Sequence, residues 1–144
     1  MHTILSDILY ISRCHGSHQR QRAQDTPLTP MQISLVSRIC REEGIAPEKL
    51  CKDYAMDKSR LAHHMNDLES AGYITRCVSP EDGRKRMLYP TQKAKTLYPK
   101  IHESHFAFAE RLLEGMTEEE IEVLTQATQI MRKNAQQMLE EDKL

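Results

Sequence analysis

The 144-residue sequence predicts a mainly helical protein with about six helices and one short β-hairpin, organised as one domain with helical extensions. Apolar residues recur at helical spacing along most of the chain, and prolines, threonines and glycines stand where helices usually begin and end. Near the middle, two stretches of β-forming residues flank a turn sequence. With 39% hydrophobic and 28% charged residues, the composition excludes collagen-like and wholly disordered chains.

Two helices are predicted in the first third of the chain. The first covers about residues 3–21, where isoleucines and leucines form a stripe at helical spacing. The second begins near Pro30, because proline is favoured in the first turn of a helix. It ends near Gly44, because glycine readily adopts the left-handed conformation that follows a helix.

Two more helices and a hairpin follow. Pro47 begins a helix of about two turns, and Asp57 is placed to cap a helix over residues 58–71. Residues 73–78 and 86–89 are rich in β-forming side chains and lie on either side of a turn that contains proline and glycine. They predict a two-stranded antiparallel hairpin.

The last third of the chain predicts two long helices. Thr91 is placed to cap the fifth, and Pro99 inside it is expected to bend the helix or interrupt its hydrogen bonds. Thr117 and Glu120 have the spacing of a capping box, which begins the sixth helix.

Charge is distributed unevenly, although the net charge is only −1. Residues 58–95 hold eight basic and four acidic side chains, a net charge of +4, whereas residues 110–144 hold nine acids and four bases. A basic centre favours a polyanionic partner.

Membrane, secreted and enzymatic classes are not favoured. The longest stretch without Asp, Glu, Lys or Arg has 12 residues, fewer than the roughly 20 that a membrane helix needs. The first residues lack the basic segment of a secretory signal, so a cytoplasmic protein with free thiols is expected. The sequence contains no catalytic elbow, P-loop or dinucleotide fingerprint, so neither an enzyme nor a bound cofactor is predicted.

The order of elements in the centre predicts a winged helix-turn-helix. A helix about 12 Å across fits the DNA major groove, and a basic hairpin beside it can reach phosphates or the minor groove. The polar side of the fourth helix and the hairpin therefore supply the candidate DNA contacts. They are Lys58, Ser59, Arg60 and His63 on the helix, and Arg84, Lys85 and Arg86 on the hairpin.

Several motifs resemble those of the MarR family of bacterial and archaeal transcription regulators. They are Leu28-Thr29-x-x-Gln32, Asp57-Lys58-Ser59, Leu68-Glu69-x-x-Gly72-Tyr73-Ile74-x-Arg76, Pro80-Glu81-Asp82-Gly83-Arg84 and Thr91. The resemblance covers nearly the whole chain. It implies that Arg76 and Asp82 also belong to the DNA-binding site, that Asp82 braces the hairpin, and that Arg84 enters the minor groove.

The resemblance also implies a homodimer on a pseudo-palindromic, double-stranded operator. Residues 1–27 and 92–144 would form the dimerisation helices, and residues 28–91 the DNA-binding region. The implied function is a sequence-specific regulator, more often a repressor than an activator, that a small-molecule effector releases from DNA. The apolar surface of the first, fifth and sixth helices supports the dimer independently, because it exceeds what a winged-helix core can cover.

Three departures from the family pattern bear on DNA binding and on the hairpin. His63 stands where an arginine is common, and Asp67 stands at another position that is often basic. Because fewer cations on the helix can contact phosphates, the wing is expected to contribute a larger share of the DNA affinity. Pro90 replaces an aliphatic residue and is expected to end the return strand early, because proline lacks a backbone N–H.

Two alternative functions stay open at this level. One is a winged-helix module that binds protein and not DNA, which the near-neutral net charge favours. The other is a metal- or redox-responsive regulator of the same fold. Its candidate metal ligands are His15, His18, His102 and His105, and its candidate redox thiol is Cys14. Hydrogen-bonded histidines and an inert thiol are the favoured interpretations of these residues.

Overall fold

The computed structural model describes residues 2–22 and 26–142 and confirms the predicted architecture of six helices and one hairpin. In chain order the elements are α1 (His2–Arg22), α2 (Pro30–Arg41), α3 (Pro47–Asp53), α4 (Lys58–Ser70), β1 (Ile74–Val78), β2 (Arg86–Pro90), α5 (Gln92–Leu112) and α6 (Glu118–Glu141). Within the described ranges, no helix has the length and apolar character needed to cross a membrane.

The predicted caps fix where the helices begin. Thr29 and Gln32 form a capping box at α2, in which each side chain accepts a hydrogen bond from the other residue's backbone N–H. Asp57 caps α4 by accepting from the backbone N–H of Arg60 at 2.8 Å. Thr117 and Glu120 form a second capping box at α6. Each cap satisfies backbone donors that the first turn of a helix leaves unpaired.

The hydrophobic core lies in the winged-helix region. It is built from the apolar faces of α2, α3 and α4 and from one side of the hairpin. Its most deeply buried side chains include Leu35, Val36, Ile39, Leu50, Leu61, Leu68, Ile74 and Leu88. The first half of α5 closes this core through Ala94 and Ile101, its two buried residues.

The return strand β2 is one residue longer than predicted because it includes Pro90, whereas β1 begins one residue later than predicted, at Ile74. The expectation that Pro90 ends the strand early is wrong. Ile74 is paired with Pro90, and the next ladder bond runs from the Thr91 N–H to the Tyr73 carbonyl at 3.0 Å. The nitrogen of Pro90 therefore faces away from β1, so the ladder loses no donor there.

Two long helices carry apolar side chains that this core does not cover. On α1, Ile4, Leu5, Ile8, Leu9 and Ile11 are exposed. On α6, no residue is buried, and Val123, Leu124, Ile130, Met131, Met138 and Leu139 are exposed. Exposed apolar stripes of this length are typical of a protein interface.

Candidate nucleic-acid interface

Helix α4 presents a polar face to solvent because its apolar face is held in the core. Leu61, Met65 and Leu68 are buried. The four residues predicted on the opposite face, Lys58, Ser59, Arg60 and His63, are all exposed. The structure thus brings these candidates together at the start and on the outer side of one helix.

A series of polar side-chain contacts connects the outer face of α4 to α2. Gln32 is buried, and its amide Nε2 donates to Asp67 Oδ2 at 3.4 Å. Its Oε1 is occupied by the Thr29 backbone N–H at 2.9 Å. Asp67 Oδ2 also lies 3.7 Å from His63 Nε2, one helical turn earlier. The sequence identified Asp67 only as an acid at a position that is often basic, and it did not predict this series of contacts.

Arg76 connects β1 to the second half of α4. Its Nη2 donates to Asn66 Oδ1 at 2.6 Å, and its Nε lies 3.4 Å from Glu69 Oε2. The second contact has an ion-pair distance but not hydrogen-bond alignment, because the buried Nε has no hydrogen-bond partner. The guanidinium is therefore occupied by the helix, a placement that the motif alone did not reveal.

The far end of α4 is secured by Lys93 of α5. Lys93 Nζ donates to the Ala71 carbonyl at 2.7 Å and sits 4.3 Å from the centre of the Tyr73 ring. A cation at the C-terminal carbonyls of a helix interacts favourably with the helix dipole. Thr91 Oγ1 also donates to the Gly72 carbonyl at 2.6 Å. These contacts fix α4 against the base of the wing.

The wing between the strands is held by an aspartate turn. Asp82 Oδ1 accepts from the Arg84 backbone N–H at 3.0 Å, and the Ser79 N–H donates to the Lys85 carbonyl at 2.7 Å. The Asp82 carboxylate therefore satisfies a backbone donor within the turn. Arg84, Lys85 and Arg86 are exposed on the tip and outgoing strand.

The two histidines of α4 have different surroundings. The His63 side chain is 78% exposed. His64 is half-buried, and its Nδ1 has no hydrogen-bond partner. Burial lowers the pKa of His64, and the nearby positive charge of Arg60 and of His63 lowers it further.

The second group of histidines joins α1 to α5. His15 Nε2 lies 3.1 Å from His105 Nδ1, a hydrogen-bond distance. Burial lowers the pKa of His15, and the nearby His105 and His18 add to that effect. His18 packs against Phe108, and His102 against Tyr98. No set of three or more metal-ligand side chains converges within the described ranges.

A small cleft lies where α1, α2 and the middle of α5 meet, beside Tyr54. The cavity has a volume of about 130 Å³, and its lining includes Gln19, Ser37, Arg41, Tyr54 and His102. Among the described residues, no carboxylate lies within ion-pair distance of Arg41, although its neighbour Arg38 is paired with Glu42 and Asp53. In the part of the chain that the structure describes, the Arg41 guanidinium in this cleft therefore has no carboxylate partner.

Comparison with known proteins identifies the family. The uncharacterized HTH-type transcriptional regulator YybA of Bacillus subtilis (strain 168) is 31% identical over 134 residues, which cover 93% of this chain and 89% of that protein. A MarR family transcriptional regulator from Listeria monocytogenes, solved in complex with 26-mer DNA, has a TM-score of 0.90 and 29% identity over 96% of this chain and 93% of its own. The chain belongs to the MarR family.

The structure of the transcriptional regulator SlyA is similar as well, with a TM-score of 0.89 and 29% identity over 95% of this chain and 96% of that one. No family sequence model matches the chain. Membership of the MarR family identifies the protein as a DNA-binding transcriptional regulator and agrees with the prediction that it is not an enzyme. It also favours this function over the protein-binding module.

Proposed function

We propose that this MarR-family protein represses transcription as a homodimer that binds a pseudo-palindromic operator, with one α4 helix and one wing from each subunit on the DNA. The observation that carries the proposal is the placement of exposed basic side chains on the outer face of α4 and on the wing, both fixed to one core. The cytoplasm, where an operator is accessible, is the proposed location.

Helix α4 is suited to the major groove. Its N-terminal turn presents Lys58, Ser59 and Arg60 to solvent, and a recognition helix contacts base edges with its N-terminal residues. A lysine or arginine there can bind guanine or phosphate oxygens. We assign Arg76 a positioning role, because Asn66 and Glu69 already occupy its guanidinium.

The wing is suited to the flanking minor groove and its phosphates. Arg84 extends from a turn that Asp82 holds, so the side chain projects from an ordered backbone. Lys85 and Arg86 follow it and remain exposed. A guanidinium inserted into a narrow minor groove gains from the strong negative potential there.

Dimerisation is supported by the uncovered stripes of α1 and α6. A helix of 24 residues with no buried side chain is unlike a helix of a monomeric domain. Pairing residues 1–27 and 92–144 with their counterparts in a second copy would cover both stripes and leave residues 28–91 free for DNA. Two-fold symmetry would then place the α4 helices about one DNA turn apart, roughly 34 Å.

Release by a small effector is supported by the cleft between these two regions. Arg41 and the polar groups near it suit a small carboxylate or phenolate ligand. A ligand there would contact α2 and α5 together, so it can favour one orientation of the winged helix over another. Such a difference in affinity between two orientations is what effector control requires.

Replacing Arg84 tests the wing. Arg84→Ala should weaken operator binding by about 1–3 kcal/mol and reduce the slope of log affinity against log salt by about one per subunit. Fluorescence anisotropy with a duplex selected from random sequence by the purified protein measures both. Lys133→Ala removes the same charge from the exposed side of α6 and should change neither. Equal losses in the two variants would contradict the proposed wing contact.

Charging the α6 stripe tests the dimer. Leu124→Glu with Met131→Glu should convert the protein from dimer to monomer in sedimentation velocity, because two carboxylates would be buried in the interface. Gln129→Glu with Lys133→Gln gives the same change of net charge on the opposite face and should remain dimeric. Circular dichroism checks that both retain helix. If the variant with Leu124→Glu and Met131→Glu remains a dimer, the proposal that the α6 stripe forms the interface is contradicted.

Replacing Arg41 tests whether a small effector binds in the cleft. Benzoate, as a probe of a single-ring carboxylate, should lower operator affinity of the natural protein, whereas Arg41→Ala should remove that effect because the carboxylate loses its charged partner. Arg13→Ala, an exposed arginine on α1, is the control and should respond like the natural protein. Identical benzoate responses in all three proteins place the effect outside this cleft.

A further inference from the structure

The DNA-facing side of α4 carries a histidine–carboxylate pair whose net charge depends on protonation. His63 Nε2 and Asp67 Oδ2 are 3.7 Å apart, and their side chains are 78% and 48% exposed. That separation is an ion-pair distance and exceeds a hydrogen bond. With His63 neutral the pair contributes one negative charge, and with His63 protonated it contributes none.

Asp67 is held in place from behind the helix. The buried Gln32 of α2 donates to the same Oδ2 atom that faces His63, at 3.4 Å. Gln32 is itself fixed by the Thr29 backbone N–H. The Asp67 carboxylate thus contacts α2 through Gln32 on one side and faces His63 on the other.

We propose that His63 contacts DNA in its protonated form, with Asp67 and Gln32 as positioning residues, so that operator affinity rises as pH falls through the neutral range. The inference rests on the proposed function, in which this face of α4 enters the major groove. Each recognition helix takes up one proton from solvent when it binds. The protonated ring then has two N–H groups, of which one can face Asp67 and the other a phosphate or a guanine acceptor.

The charges around His63 favour this proton in the complex. No other carboxylate of the described residues lies within 4 Å of its ring nitrogens. Its own helix also presents Arg60 and His64, whose ring centre is 6.4 Å away, and Gln32 approaches from α2 through Asp67. In the complex the phosphates of the groove would add negative charge beside this ring, on the side opposite the Asp67 carboxylate. Burial and the nearby Arg60 lower the pKa of His64, so His64 is less readily protonated than an ordinary histidine.

The sign of the effect follows from the charge of the pair. Histidine ordinarily titrates near pH 6.5. With a neutral imidazole beside it, Asp67 repels the phosphates without compensation, whereas an imidazolium cancels that repulsion and adds a donor. Affinity is therefore highest at low pH and declines as pH rises, up to about tenfold per pH unit for each proton taken up.

The experiment measures operator affinity between pH 6 and 8.5 at constant ionic strength, with the selected duplex as probe. For the natural protein, log affinity should fall as pH rises above neutrality, by up to about one unit per pH unit for each recognition helix. His63→Arg should bind tightly with that slope removed, because arginine stays charged. His63→Gln should also lose the slope but bind weakly. His64→Gln, a matched change one residue away, should keep the slope.

Asp67→Asn separates a positioning role from a purely structural one. Its amide oxygen can still accept from Gln32, so the link to α2 is retained while the charge is removed. At pH 8 this variant should bind more tightly than the natural protein, and its pH profile should move to lower pH. Thermal unfolding confirms that each variant is folded.

Two results would overturn the inference. One is a natural protein whose affinity does not vary with pH, and the other is a slope that survives in both His63 variants. Neither result affects the proposed function, because both still show operator binding. Failure of the natural protein to bind any duplex at pH 6 would instead contradict the proposed function itself.

Discussion

The position of α4 between α2 and the hairpin is the constraint on which the rest of the structure depends. Three buried apolar residues set the rotation of the helix. Polar contacts from α2, β1 and α5 hold it along its length. The outer face of α4 and the wing are therefore both attached to the same core. Such preorganisation lowers the entropy cost of binding a fixed duplex geometry.

The same packing gives the molecule two surfaces of different chemistry. The winged helix buries its apolar residues internally and exposes basic ones, whereas α1 and α6 expose apolar residues and bury almost none. A single chain therefore presents a charged surface that suits a polyanion and apolar stripes that suit another protein chain. Helix α5 joins the two, because its first half closes the winged-helix core and its later turns contact α1 through His105. A change in the position of α5 beside the cleft would therefore affect both the charged surface and the apolar stripes.

The sequence was sufficient to predict the elements because their signals are local. Caps such as Asp57 and Thr117 and the helical spacing of apolar residues act within a few positions of the chain. The contacts that position α4 were not predictable in this way, since Gln32 meets Asp67 across 35 positions and Lys93 meets Ala71 across 22. Pro90 shows the limit of a local rule. Proline weakens a strand only where its missing N–H is needed, and that depends on which edge is paired.

Hydroxyl-radical footprinting of the selected operator tests the central claim most directly, because it reports the spacing of the two DNA-binding surfaces. The account predicts two equivalent protected regions whose centres lie about one helical turn apart, roughly 34 Å, each flanked on its outer side by protection of the minor groove. A single protected region, or two regions without the flanking minor-groove protection, would contradict the claim that paired α4 helices and wings bind the duplex together.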